Sequence, residues 1–323
     1  MELKQLRYFT KIADMGSLSA ASRVLHISQP SLSYQISQLE EQIGKKLLLR
    51  QPTGVSMTIE GEAFYREALQ ILRQVDGIQG VVDSVRSQLT GYVSVAMAHT
   101  QAMQYALPLI QKVRDLHPRL QLEVFDGTSR DMLRAVGSGQ RDLAVVIWDS
   151  ESSILAAQPA VEEEIFLVSK TELAPQEKSI LRSDVRRYPL ILPSRDQIPE
   201  SLYDLGLGID ESAKNPETTA QQYNIIVANS VGIFRQAILA GIAHSLQPWG
   251  ALHDDIEQGR IIATPLQPPV LRKVAIGTAR GAAPSQATRA VQKALLSVME
   301  SRVAEGFVKG RMLANEVHEV DKS

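Results

Sequence analysis

The chain has 323 residues, 44% of them hydrophobic and 22% charged, with a formal net charge of −2 and no cysteine. That composition suits a globular protein of about two domains with a proper core. It excludes disulfides, thiolate metal sites and cysteine nucleophiles. The N-terminus, Met1-Glu2-Leu3-Lys4-Gln5, lacks the apolar run of a signal peptide, and no stretch has the roughly 18 uninterrupted apolar residues of a membrane span. A cytoplasmic protein is expected, with no membrane partner.

The first 58 residues depart from the average. They carry Lys4, Arg7, Lys11, Arg23, Lys45, Lys46 and Arg50 against Glu2, Asp14, Glu40 and Glu41, seven minus four, or +3. Leu6, Phe9 and Ala13 recur at helical spacing with Ile12 beside them. Gly16 stops this helix and Ser17 is placed to cap the next, whose apolar face is Leu18, Ala21 and Leu25. Ser28 can cap a third helix, with Pro30 in its first turn, where amides have no intrahelical acceptor. Leu32, Ile36, Leu39 and Ile43 form its buried stripe, and Gly44 ends it. The opposite face, with Gln29, Pro30, Ser33, Tyr34, Ser37 and Gln38, is small or polar. A helix that enters the major groove needs such a face: short groups for close phosphate approach and amides able to pair with adenine. An ordinary solvated helix in a three-helix bundle shows the same pattern, and the residues alone leave both readings open. Residues 45–50 and 55–58 read as a basic strand hairpin, a wing able to lay Arg50 along the DNA backbone or minor groove.

From Ile59 to Leu89 there is no proline, and Phe64, Ala68, Ile71, Val75, Ile78, Val82, Val85 and Leu89 alternate spacings of four and three. That is a coiled-coil seam on a helix about 45 Å long. A second copy of the chain is its natural partner, and a dimer needs a two-fold-related DNA site. Packing on the chain's own second domain is the alternative.

Strands and helices then alternate, which argues for a parallel-sheet α/β domain. Tyr92–Met97, Leu120–Phe125, Asp142–Ile147, Ile165–Val168, Leu190–Pro193, Tyr223–Ala228 and Val270–Ala279 read as strands. Thr100 caps a helix through Arg114, another follows Thr128 and Ser129, a third spans Val231–Ala240, and the last long one runs from Pro284 to about Val303. Ala304 to Ser323 reads as a polar tail or terminal helix. Strand ends that feed helix N-termini suit an anionic ligand. Thr100, Gln101, Thr128 and Ser129 stand at two such ends, although simple helix capping is the more ordinary reading of each hydroxyl. Trp148 follows a buried strand and either lines the cleft or belongs to the core. Arg195 can pair with a carboxylate or phosphate, or is a plain surface charge.

The runs Leu6-Arg7-Tyr8-Phe9, Gly16-Ser17-Leu18-Ser19-Ala20-Ala21 and Ser28-Gln29-Pro30-Ser31-Leu32-Ser33 resemble the N-terminal segment of LysR-type transcriptional regulators. Ile36, Leu39-Glu40, Gly44, Leu47, Arg50, Gly54-Val55, Thr58 and Gly61 continue the likeness. Lys11-Ile12, Val24-Leu25-His26-Ile27 and Ile71-Leu72-Arg73-Gln74 resemble the nitrogen-assimilation-control branch. The resemblance implies an α plus α/β architecture: a winged helix-turn-helix (1–58), a coiled-coil linker helix (59–89) and a two-lobed, periplasmic-binding-protein-like effector domain (91–303). Lobe I would comprise 91–162 plus 265–303 and lobe II 163–264, with 304–323 beyond. It implies DNA contacts from Ser28, Gln29, Pro30, Ser31, Ser33, Tyr34, Gln38, Arg50 and Thr53. It implies an effector cleft bordered by Thr100, Gln101, Thr128, Ser129, Trp148, Arg195 and Ile198, and a homodimer or homotetramer. Two departures stand out: Leu48 where the family often has phenylalanine, and Thr53 where it often has arginine or lysine, which removes a backbone contact from the wing.

Catalysis is not expected. His26, His99, His117, His244, His253 and His318 show no metal-ligating helical spacing, and there is no nucleophile elbow or phosphate loop. No cofactor is expected. One other reading stays open, that the α/β domain serves assembly or protein contact without a ligand.

Overall fold

The computed structural model describes residues 1–51, 54–84, 89–148, 154–194, 225–281 and 283–313, with the backbone alone at 70, 73, 74 and 76–84. The chain divides into two compact units, one essentially Met1–Gly91 and the other Tyr92 onward, apart from Ser138–Gln140, which group with the first.

In the first unit α1 (Leu3–Met15), α2 (Leu18–Val24) and α3 (Gln29–Ile43) precede a hairpin of β1 (Leu48–Gln51) and β2 (Gly54–Met57), and α4 (Ile59–Ser84) follows. The local chemistry accounts for each boundary. Gly16 and Gly44 take left-handed φ values of 58° and 73° and end α1 and α3. Ser17 accepts from the Ala20 amide, and Ser28 from the Ser31 amide, to open α2 and α3. Phe9, Ile12, Ala21, Leu32, Ile36, Leu39 and Leu47 are buried together as the core. Leu48 is buried in the same cluster, so the smaller side chain is accommodated as a packing residue.

The hairpin is seated from two sides. Val55 N donates to Gly16 O at 2.8 Å. A Cβ at Gly54 would lie 2.6 Å from that same carbonyl, so only glycine permits the approach. On the other side Glu40, 6% exposed, accepts from Lys46 Nζ (2.6 Å), Leu47 N (2.9 Å) and Leu48 N (3.1 Å). Burial works against this carboxylate, but the lysine and the two amides hold its pKa below the ordinary value. An acidic residue that looks like part of a solvated helix face is therefore the clamp between α3 and the wing.

The seam on α4 is partly used within the chain. Ala68 and Leu72 are buried against Leu6 of α1, with Phe64 and Ile71 partly buried beside them, and Phe9 meets Phe64 edge-on at 5.1 Å. α1 thus covers the first turns of the stripe. Val75 is half-buried. The side chains of Ile78 and Val82, and all of Val85, lie outside the described residues.

The second unit is an α/β domain built on two long strands, β6 (Leu155–Lys170) and β11 (Ile261–Ala279), paired antiparallel with register shifts between Pro265 and Val270 and between Val274 and Ala275. With β3 (Gly91–Ala98), β4 (Leu120–Gly127), β5 (Leu143–Ile147) and β10 (Ser245–Pro248), they form a sheet of order β10-β6-β11-β5-β3-β4. β7 (Ile180–Leu181) pairs with β11, while β8 (Leu190–Leu192) and β9 (Ile225–Val227) form a parallel pair. The helices are α5 (His99–Leu116), α6 (Ser129–Gly137), α7 (Val231–Leu239), α8 (His253–Glu257) and α9 (Gln286–Ala304). β6 and β11 both run across the expected lobe bounds, 162/163 and 264/265, so the same two strands serve both expected lobes. The strand expected over Val270–Ala279 begins earlier, at Ile261, and continues through its prolines. Nor is the segment after Ala304 simply a tail or helix: β12 (Gly310–Met312) adds to β6, opposite Val161–Glu163. Residues 314–323 lie outside the described part.

Candidate functional site

The outward face of α3 is the first site. Ser28, Gln29, Pro30 and Ser31 are exposed, and Tyr34 keeps 60% of its surface in solvent. These groups are held rather than loose. Ser19 on α2 donates its hydroxyl to Gln29 Oε1 at 3.1 Å, Gln38 Nε2 donates to Tyr34 Oη at 2.8 Å, and Ser28 and Ser31 share a 2.7 Å hydroxyl contact. Arg50 on β1 reaches back to α3, its Nη2 donating to Ser33 Oγ at 2.9 Å. One surface therefore carries amides, hydroxyls and a guanidinium fixed by the wing, all groups that pair with base edges and phosphates. Thr53 lies outside the described residues. Neither Ser19 nor Glu40 stands out in the sequence as serving this face; only the contact across elements reveals them.

The second site is a cavity of about 90 Å³ in the α/β unit. Three helix beginnings border it: Ala98, His99 and Thr100 at α5; Gly127, Thr128 and Ser129 at α6; Asn229, Val231 and Phe234 at α7. Ile147, Pro193, Leu246, Gln247 and Arg272 complete the lining. Thr100 is not a helix cap, since α5 is entered from Ala98. Its hydroxyl donates to Gln101 Oε1 (3.0 Å) and accepts from Arg272 Nη2 (2.9 Å). Gln101 is fully buried, with Nε2 donating to Glu163 Oε1 at 3.2 Å. Thr128 is occupied as a cap: it accepts from Asp131 N (3.1 Å) and donates to Asp131 Oδ2 (2.7 Å). Ser129 Oγ accepts from Ile147 N at 3.2 Å. Trp148 is half-buried and does not line the cavity; its amide donates to Lys273 O. Arg195 and Ile198 lie outside the described residues.

Behind the lining is a buried charge pair. Glu163 on β6 and Arg272 on β11 are cross-strand partners, 1% and 8% exposed. Arg272 Nε and Nη2 donate to Glu163 Oε1 at 2.8 and 2.7 Å, and Gln104 Nε2 donates to Oε2 at 3.1 Å. Two charged groups at this depth persist because each satisfies the other. The sequence held one signal for them: a glutamate run and an arginine set in otherwise apolar strands, where a buried charge requires a partner.

The descriptions "Bacterial regulatory helix-turn-helix protein, lysR family" and "LysR substrate binding domain" match residues 3–62 and 86–300. The chain belongs to the LysR family of bacterial regulators. It is a sequence-specific DNA-binding transcription regulator and not an enzyme. Among curated relatives, the chain is 31% identical to the nitrogen assimilation regulatory protein nac of Escherichia coli over 252 residues, 78% of this chain and 79% of that one. It is 36% identical to the nac protein of Klebsiella aerogenes over 194 residues, 60% of this chain and 63% of that protein's length. Three solved structures share the fold: a full-length OxyR variant from Pseudomonas aeruginosa (TM-score 0.67, 19% identity, 93% and 95% of the two chains), LysG from Corynebacterium glutamicum with bound effector Arg (0.62, 16%, 93% and 99%), and CbnR with its target DNA (0.59, 19%, 92% and 100%).

As a LysR-family chain, the protein sets its paired lobes around continuous β6 and β11. Among the described residues no helix is long and apolar enough to cross a membrane, and no cluster of metal-ligating side chains is present.

Proposed function

We propose that this LysR-family regulator reads a two-fold-related DNA site as a dimer in the cytoplasm, under the control of a small effector held in the α/β cavity. The observation that carries effector control is the convergence of three helix beginnings on one partly apolar cavity beside a buried arginine. Helix N-termini offer amides and positive potential, and a cavity of mixed lining with few polar groups is the usual form of a small-molecule site. LysG of Corynebacterium glutamicum, which shares the fold and was solved with a bound effector, supports the same reading.

On the DNA side, Gln29, Ser31, Tyr34 and Gln38 read the major groove, while Ser28 and Arg50 engage phosphates, with Thr53 as a further DNA contact. Pro30 and Ser33 fill the face between them. Dimerisation runs along the seam of Phe64, Ala68, Ile71, Val75, Ile78, Val82 and Val85, with the part beyond Ala68 the more available for a second copy. A homotetramer follows if the α/β units also pair. The three-part division at 58/59 and 89/91 is part of this proposal.

The test is operator binding by the full chain with and without the dialysable small-molecule fraction of its host, compared with the cavity-filling Val231→Trp variant. The expected result is a change of affinity or footprint in the unmodified chain and none in the variant. A response equal in both, or absent from both, removes the cavity from regulation and favours an assembly role for the α/β domain.

A further inference from the structure

We propose that the cavity selects a small monocarboxylate with a short apolar tail, and that Arg272 is its charge anchor. This rests on the effector reading above and names the ligand class for it.

Arg272 is the one Lys or Arg side chain among the described lining residues, and it is 8% exposed. Its guanidinium is fixed before any ligand arrives. Nε and Nη2 point at Glu163 Oε1, Nη2 also meets Thr100 Oγ1, and Nη1 has no partner among the described residues. With Nε and Nη2 engaged, Nη1 is left to donate a charge-assisted hydrogen bond to an oxyanion. Thr100 therefore positions the arginine and is not the ligand's hydroxyl partner.

The charge balance sets the valence. Glu163 offsets the net charge of Arg272, so the guanidinium contributes a charged N–H at Nη1 while the further positive potential comes from the helix ends. α5, of 18 residues, and α7, of 9, both begin without a side-chain cap hydrogen bond, which leaves their first amides open. Each helix start is worth roughly +0.5 charge, or about +1 for the pair. The third start, α6, has Asp131 in its first turn and Thr128 as cap, so it adds little. At the rim His99 has its own carboxylate, Asp126, at 2.8 Å. A single negative charge is matched; a second would be desolvated without compensation.

Size and wall chemistry set the rest. About 90 Å³ is well below the ~300–1,000 Å³ of sites for larger ligands. Ile147, Val231, Phe234 and Leu246 form an apolar wall. A short alkyl group on a carboxylate meets both requirements.

The test uses the full chain and thermal unfolding against propanoate, butanoate, propanamide, butanamide, succinate and inorganic phosphate. The carboxylates should raise Tm in a saturable way, with the isosteric amides roughly tenfold or more weaker, because a charge-assisted pair becomes a neutral one. Arg272→Gln alone leaves Glu163 buried and unpaired, so the paired Glu163→Gln/Arg272→Gln variant is used; it should fold and lose the preference for carboxylate over amide. The comparison of propanoate with propanamide needs no variant. Equal binding of amide and carboxylate, or tighter binding of succinate or phosphate, overturns the anion class while leaving an effector site in place. No shift with any probe also overturns it, and the operator assay with Val231→Trp then decides separately whether the cavity takes an effector at all.

Discussion

Arg50 and Ser33 are joined across the junction of wing and recognition helix, Nη2 donating to Oγ at 2.9 Å. The bond links the side chains of the two elements on one exposed surface. Arg50→Ala should weaken operator binding about equally for all sequences and lower the salt slope by about one, as expected for one lost phosphate contact. Ser33→Ala should leave that slope intact and reduce affinity only modestly. Filter binding or anisotropy across a salt series separates the two. A change of sequence preference in Arg50→Ala would move the arginine from backbone to base contact.

Gln29 is held by the Ser19 hydroxyl at 3.1 Å and stands exposed at the start of α3. Gln29→Ala should cost ~1–3 kcal/mol at the cognate site and relax specificity at one base position. Site selection from randomised DNA measures this directly. An unaltered site with unaltered affinity would place base reading elsewhere on the helix.

Glu40 links α3 to the wing through Lys46 and the amides of Leu47 and Leu48. Glu40→Gln should destabilise the first unit by ~1–3 kcal/mol, since a buried charged acceptor is lost. Its pKa in the folded chain lies below the ordinary 4.5, so its contribution is complete above about pH 4.5 and disappears as pH falls through the lowered value. The gap between the two proteins in urea midpoint should therefore be widest near neutrality and close in acid. A gap that grows on acidification contradicts the sign of the coupling.

The DNA-binding unit was legible because its logic is local. Gly16, Ser17, Ser28 and Gly44 are end signals that act through their own backbone, and the Leu32–Ile43 stripe sorts one helix face from the other. Glu40 was not legible, because its partners are amides seven and eight residues away whose arrival depends on the wing's fold. The α/β unit shows the same division. Strands at 91–98 and 143–147 are apolar runs, whereas β11 contains Pro265, Pro268 and Pro269 and is held by β6 on either side of that stretch and by β7 at Leu266 and Gln267. At the cavity, Thr100 and Gln101 were found as a helix start, but their work is to hold Arg272 and Glu163, strand residues far away in sequence. Periodicity reports which face is buried; it says nothing about which buried charges meet.

The seam on α4 predicts association through its later turns, since α1 already covers Ala68 and Leu72. Val75→Lys with Ile78→Lys should convert the dimer to monomer and depress operator binding while leaving the circular dichroism of the first unit unchanged. Sedimentation equilibrium reads the first effect and anisotropy the second. A dimer that persists in this variant would shift the self-contact to the α/β unit.

Gly61, at the start of α4, sits where a Cβ would be 2.0 Å from Leu47 O and 2.9 Å from Leu47 C. In an isolated helix, glycine to alanine gains up to about 1 kcal/mol. Here the obstacle is backbone, which cannot rotate away, and Thr58 already ties the same place: its hydroxyl donates to Lys46 O, and its amide donates to Leu47 O at 3.0 Å. The clash should win, and Gly61→Ala should lower stability by ~1–3 kcal/mol in denaturant titration. DNA affinity should fall with it, because α4 can relieve the contact only by displacing β1, and β1 carries Arg50. A stabilised Gly61→Ala protein with full affinity would show that α4 does not set the position of the wing.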